Sequence, residues 1–179
     1  MLLKNSIVFL RALEPEDVDL LYYWENNTEI WKVSSTIAPF SKFTLTNYVM
    51  EESQKDIFET EQLRLVIADV STERPVGLID LFDFAPVDQR ASIGIMINDQ
   101  KDRKKGFAKN ALILLEEYCK KIINLHQLYA RTDATNTASV DFFINCGYNQ
   151  CGILKDWHRN EDGWNDQIEF QKILAFKTT

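Results

Sequence analysis

The strongest constraint on the fold is a change of repeat near residue 98. RASIGIMIN (90–98) is short, apolar and β-branched, the pattern of a strand. From Gly106 the period switches: Phe107, Ala111, Leu114, Leu115, Tyr118 and Ile122 recur at spacings of three and four, an apolar stripe that predicts the clearest helix in the chain. HQLYARTD (126–133) then reads as a strand, and 136–145 as a short helix stopped at Gly147. Upstream, SIVFLRAL (6–13) predicts a first strand. Glu14-Pro15 opens a helix with acids at its positive end and Val18, Leu21, Tyr22 and Trp24 on one face. VSSTIAPFSKFTLTN (33–47) reads as a loop feeding a second helix over 47–57. LRLVIADV (63–70) and PVGLIDLFDF (75–84) pair around the turn STER, and GILKDWHRNEDGWNDQIEFQKIL closes as a hairpin turning at Asn160, Asp162 and Gly163. No repeat, low-complexity tract or linker interrupts the 179 residues. The expectation is one α/β domain over 1–179, a mixed sheet with helices packed on it.

Strand 90–98 and the long helix are joined by DRKKGFAKNA (102–111), which gathers Arg103, Lys104, Lys105 and Lys109 in a chain of formal net charge −7. A helix start carries unpaired N–H groups and partial positive charge, which suits a phosphate. Gly106 lets backbone approach a ligand, and Ala108 keeps that closeness at the next turn. With the cations, this forms a cradle for a diphosphate; a solvated basic turn is the plainer alternative. The patterns GxxxxGK[ST] and GxGxxG are both absent, so neither a nucleotide hydrolase nor a dinucleotide enzyme is supported.

An acidic balance, pI about 4.9, argues against broad binding to nucleic acid or anionic membrane and would attract a cationic small molecule or basic peptide; a negative surface that simply keeps the protein soluble is the plainer reading. No apolar run approaches the roughly 20 residues of a membrane span. The start shows no secretory signal, and Cys119, Cys146 and Cys151 have no metal spacing, so reduced thiols and a cytoplasmic location are expected. His126 and His158 lie far apart, so no metal is expected.

Arg103-Lys104-Lys105-Gly106-Phe107-Ala108 resembles the coenzyme A loop Q/R-x-x-G-x-G/A of the GNAT (GCN5-related) N-acetyltransferases. Beyond the next helix and strand, Asn136, Ser139, Phe143, Gly147 and Tyr148 match that family's N-x-x-S/A-x-x-x-Y-x-x-x-G-F at each spacing, with Phe143 in place of the tyrosine. The two motifs stand in the family's order, and the ends of the chain resemble its spermidine/diamine and ribosomal-protein N-terminal branch. The resemblance implies a mixed, mostly antiparallel sheet with a V-shaped splay, flanked by helices. It implies acetyl-CoA as cofactor and acetyl transfer to a primary amine. The acceptor would be polyamine, diamine or other small amine, or a peptide N-terminus. A catalytically weak acyl-CoA-binding module is the other reading, prompted by Phe143. Homodimers or higher homo-oligomers are also implied.

Residue by residue, the resemblance implies that Ile95, Met96 and Ile97 line the pantetheine arm. Arg103, Lys104, Lys105, Gly106, Phe107, Ala108 and Lys109 would hold the diphosphate, and Asn136, Ser139 and Phe143 would lie beside the arm. Asn136 suits a helix N-cap equally well. A free amine at pH 7 must lose a proton, at a cost of roughly 4 to 5 kcal/mol for a pKa of ~10.4. Asp80 is the expected base, on the strand face shared with Leu78 and Phe82, and Asp83 is the second choice. The N–H of Met96 or Ile97 would meet the developing oxyanion. No acid is assigned to the leaving thiolate, although Tyr129 could donate. Tyr148 reads as a packed ring and Cys146 as a core residue. For the acceptor, Glu25, Glu29, Asp80, Asp83 and Asp166 supply negative charge, with Trp31 or Trp164 facing a cation. SSTIAPFSKF, after the first helix, contains no acid.

Overall fold

The structure is a computed structural model and describes residues 3–34, 36–160 and 163–174. Seven strands form one sheet in the order β1-β2-β3-β4-β5-β7-β6: β1 Val8–Ala12, β2 Leu63–Asp69, β3 Pro75–Ala85, β4 Arg90–Ile97, β5 Gln127–Asp133, β6 Asn149–Asn160 and β7 Gly163–Ile173. Every neighbouring pair is antiparallel except β4–β5, which is parallel. The mixed, mostly antiparallel sheet flanked by helices is therefore present. Asp162 of the expected hairpin turn lies outside the described residues.

Helices α1 (Val18–Glu25) and α3 (Lys42–Glu52) cover one face of the β2–β4 arm, where Leu21, Trp24, Leu45 and Val49 pack on Val66 and Leu78. Helix α5 (Phe107–Tyr118) lies on the opposite face with Ile79, Leu81, Ile93 and Phe170 in the larger core. Helix α6 (Thr137–Asn145) joins that core through Phe143, which stacks on Phe170 with centroids 5.7 Å apart.

The segment read as a loop holds two departures. A short helix, α2 (Thr28–Ser34), follows α1, and α3 begins at Lys42 rather than 47. The Ser/Thr content that suggested a loop supplies the cap: Ser41 Oγ accepts the Thr44 N–H at 3.0 Å. A single turn, α4 (Ile57–Thr60), is closed by a reciprocal Asp56–Glu59 box. The long helix also ends sooner in α form. Cys119–Ile123 is a π turn stopped by Asn124 at φ 61°, and the wider turn swings Ile122 off the apolar stripe into solvent.

Candidate active site

Strands β4 and β5 pair only from Arg90–Gln127 to Ser92–Tyr129; beyond that rung they part. Asn98 N–H donates to the Val76 carbonyl at 3.1 Å, and the Met96 oxygen lies 2.0 Å from where a Cβ on Gly77 would stand. The main chain of residues 96 and 98 thus faces β3, and by alternation that of Ile95 and Ile97 faces the open edge. Of the two expected oxyanion donors, the Met96 N–H faces β3, while the Ile97 N–H, like that of Ile95, faces the open edge.

At the mouth of the cleft, Gly106 stands at φ 86° as the N-cap of α5 and caps with no side chain. The first-turn N–H groups of α5 accordingly have no side-chain acceptor at the cap. The positive φ, not crowding, demands glycine: the nearest atom to an added Cβ would be Asn110 Nδ2 at 3.5 Å. Asn110 fastens the turn, donating to the Gly106 carbonyl at 3.0 Å and accepting from Asn5 Nδ2 at 3.1 Å.

The four cations are not equivalent. Arg103 donates to the carbonyls of Ile97 (3.3 Å) and Asn98 (3.4 Å), tying the loop to the end of β4. Lys105 lies 3.4 Å from Asp102, a buried carboxylate that Arg74 also holds at 2.8 Å. Burial alone would raise the Asp102 carboxyl, but these bonds bring it below its ordinary range. Lys104, at φ 62°, and Lys109 are exposed. A cavity of about 670 Å³ opens between α1 and the residues just past β4, lined in part by Tyr23, Asn27, Asn98 and Asp99. Asn98 Oδ1, buried there, has no hydrogen-bond partner among the described residues.

On the face covered by α1 and α3, the sheet carries a row Arg64–Asp80–Gly94 across three strands. Arg64 grips Asp80 through both oxygens (Nε–Oδ1 2.9 Å, Nη2–Oδ2 3.0 Å) and reaches Glu25 Oε1 at 2.7 Å. Its guanidinium lies over the Tyr48 ring, 5.5 Å from the centroid, and Gln62 donates to the Tyr48 hydroxyl at 2.8 Å. Burial opposes the Arg64 charge, yet Asp80, Tyr48 and Glu25 hold its pKa above the ordinary value. Burial pushes up the nearby Glu52 carboxyl, partly countered by Arg64.

Asp80 thus lies on the expected face, but both its oxygens are engaged. Asp83 differs: a bulge in β3 places it at φ 50°, exposed, with Oδ2 accepting from the Tyr129 hydroxyl at 3.3 Å. Tyr129 sits on the last rung where β4 and β5 pair, and burial, then the Asp83 charge, raises its pKa. Ser92, opposite it, is fully buried, and its hydroxyl has no hydrogen-bond partner among the described residues.

Other expected residues lie elsewhere. Asp166 shares the β7 face of Ile168 and Phe170, opposite to that of Asp80, and is bound by Lys155 Nζ (2.6 Å) and the Asp156 N–H (3.1 Å). Trp31 donates to the Glu25 carbonyl at 2.6 Å, a helix-end bond, and Glu29 is exposed on α2. Trp164 is exposed on β7. Phe143 is 3% exposed, wedged among Phe142, Tyr148 and Phe170, so its ring packs the core and does not line the cleft. Asn136 caps α6 through Oδ1 to the Ser139 N–H at 3.2 Å.

The sequence profile described as Acetyltransferase (GNAT) domain matches residues 8–149, spanning the cleft, the loop and the start of the last hairpin. This chain belongs to the GNAT acetyltransferase family. It is an N-acetyltransferase, and its acyl donor is acetyl-CoA. Among related proteins, the uncharacterized N-acetyltransferase p20 of Bacillus licheniformis is 26% identical over 153 residues, 84% of this chain and 83% of that protein. The fold is shared with spermidine N-acetyltransferase from Vibrio cholerae solved with CoA and spermine: TM-score 0.84, 24% identity, covering 95% of this chain and 97% of that one. A dodecameric form of the Vibrio cholerae enzyme superposes with TM-score 0.78 at 22% identity over 95% of each chain. A probable acetyltransferase does so with TM-score 0.79 at 18% identity over 94% of each. For this GNAT member, sequence reading missed Arg64, Tyr48, Asp102 and Asn110. Only Asn110 had a sequence cue, its place one turn after Gly106.

Proposed function

We propose that this GNAT enzyme moves the acetyl group of acetyl-CoA onto the nitrogen of a small primary amine by direct attack. The observation that carries this is the cleft itself: β4 parts from β5 after Ser92, and its free edge leads to the uncapped, glycine-opened start of α5. The residues fit the donor. First-turn N–H groups of α5 with Lys104 and Lys109 receive a diphosphate, and the free main-chain edge of β4 meets an extended arm with amide groups. The orphan Asn98 Oδ1 accepts an N–H from the same arm.

Acetyl-CoA supplies a thioester carbonyl to the cleft. The Ile95 N–H, level with the Asp80–Gly94 row, meets the negative charge that develops on the carbonyl oxygen, and the Ile97 N–H binds further along the arm. The base moves from Asp80 to Asp83. Both oxygens of Asp80 are occupied by the Arg64 guanidinium, whereas Asp83 keeps an oxygen open and takes the ammonium proton through water. As the C–N bond forms and the C–S bond breaks, the thiolate needs a proton. Phe143 has none, and the Tyr129 phenol, on the last rung before β4 and β5 part, supplies it. Asn136 positions the start of α6 beside the arm.

The acceptor is a small primary amine, whether polyamine, diamine or monoamine, and a peptide N-terminus stands second; the Vibrio cholerae relative was solved with spermine. Oligomers such as those of the Vibrio enzyme are part of the same proposal. Incubation with acetyl-CoA and a panel of monoamines, diamines, polyamines and N-terminal peptides should release free thiol with at least one class. Tight coenzyme A binding with no thiol released across the panel would overturn the reading.

A further inference from the structure

We propose that Arg64 is a built-in occupant of a cation cage on the acceptor side and thereby sets specificity, admitting singly charged amines and turning away di- and polycations. The inference rests on reading this face as the place where the acceptor approaches. Two carboxylates flanking an aromatic ring are what a protein assembles to seat an ammonium or guanidinium ligand. Glu25, Asp80 and Tyr48 form that set on three different elements, and the cation seated there comes from β2 of the same chain.

The seat is full. Three guanidinium nitrogens are used, at 2.9 and 3.0 Å to Asp80 and 2.7 Å to Glu25, and the Arg64 side chain is only 19% exposed. The seat is also next to the open part of the sheet. Gly94, opposite Asp80, lies on the stretch of β4 beyond its pairing with β5, and a Cβ there would stand 3.3 Å from Phe82 Cε1 and 3.7 Å from Asp80 Oδ2, so the Phe82 ring and the carboxylate line this stretch of strand. A second positive charge on an acceptor, held some ångströms from the reacting nitrogen, would meet Arg64 instead of a carboxylate pair. The segment leading into α3 and its first residues offer no replacement: residues 36–43 contain no acid, and their one charged residue is Lys42.

The test is titration calorimetry of spermidine and of butylamine, each with coenzyme A at saturation, on wild type and Arg64→Ala. Emptying the cage should strengthen spermidine binding by about tenfold and butylamine by less than about threefold. Adding Glu25→Gln to Arg64→Ala should cancel the gain. Unchanged or weaker spermidine binding in Arg64→Ala, or an equal gain for both amines, would overturn the proposal. If Arg64→Ala does not fold, Arg64→Lys serves. A lysine keeps a charge in place but cannot bridge both carboxylates, so spermidine should gain about threefold and butylamine should not; no gain for spermidine overturns the proposal. Because binding is read, the outcome is separate from turnover. Thiol release with no Arg64 effect sinks this inference alone, and an Arg64 effect with no thiol release sinks the acetyl-transfer reading alone.

Discussion

The two ends of the cleft are built on opposite plans. At the α5 end the polymer leaves its own donors unmet: a helix start with no side-chain cap, exposed Lys104 and Lys109, and a strand edge with no neighbour among the described residues. On the face under α1 and α3 the charged groups meet one another, with Arg64, Asp80 and Glu25 closed into one network over Tyr48. A site left open is complementary to a ligand of fixed chemistry, and the diphosphate is the same in every donor molecule. A site that is already satisfied must be entered beside its occupant, so it selects by what the occupant excludes.

The largest test of this contrast is stability. Removing one partner from a buried charge pair costs about 3–5 kcal/mol, and with Arg64 partly solvated the lower end applies, so Arg64→Ala should lose about 3 kcal/mol. Arg64→Lys should lose about half of that. Urea unfolding of the three proteins measures both, and an Arg64→Ala midpoint equal to wild type would show the network to be idle. At the open end, Gly106→Val combines a branched side chain at φ 86° with loss of close backbone approach. Coenzyme A affinity should fall about 100-fold, with about 1–3 kcal/mol of strain added to the fold. Calorimetry with coenzyme A separates the two, since a destabilised protein that still binds normally would remove the cradle.

This difference also explains what could be read from the chain. The open end was legible because its requirements are local: a glycine at a helix start, cations within a few residues, and a periodicity that names strand and helix. Asn136, Gly147 and Tyr148 were legible for the same reason. The closed side was not, because its pairing depends on register. Counting back from Ala68 opposite Pro75 would set Arg64 against Ile79, and the two would not share a charge. The bulge between Ile67 and Ala68 shifts the pairing by one, bringing Arg64 to Asp80. Nothing in the local sequence marks that extra residue. Asp83 is obscured likewise, since the bulge that lifts it from β3 falls inside an ordinary LFDF run. Phe143 shows the converse: its motif position was clear, but whether that ring faces the cleft or the core is decided by Phe170, 27 residues later.

A smaller effect bears on the chemistry between the two ends. Tyr129→Phe should lower kcat about tenfold while leaving KM for acetyl-CoA nearly unchanged, because the hydroxyl acts on the leaving group and not on donor binding. The sign of the pH effect follows from the raised phenol pKa. Burial and Asp83 favour the protonated form, so the proton donor persists above the ordinary tyrosine value of about 10. The wild-type kcat should therefore show no alkaline decline below about pH 10. An alkaline limb near 8 or 9 would assign the proton to some other group.

The finest test lies within the basic loop itself, where neighbouring lysines are predicted to differ. Lys105 is 3.4 Å from the buried Asp102 and already spends part of its field on that carboxylate, whereas Lys104 is exposed at φ 62° with its charge turned to solvent. An exposed cation near a diphosphate contributes roughly 0.5–1 kcal/mol, which salt screens. Lys104→Ala should weaken coenzyme A about threefold at low ionic strength and by less than twofold at 0.5 M salt, where the Debye length is shorter than the reach of a lysine. Lys105→Ala should change affinity less at either salt. Its cost should appear in the fold, because Asp102 then depends on Arg74 alone. As the pH falls through the lowered pKa of Asp102, the stability contributed by that carboxylate should be lost from both proteins, and earlier from Lys105→Ala, whose Asp102 is depressed less. If the two lysines instead weaken binding equally, with equal salt dependence, the loop would be a plain basic patch and the division of labour around Asp102 would be wrong.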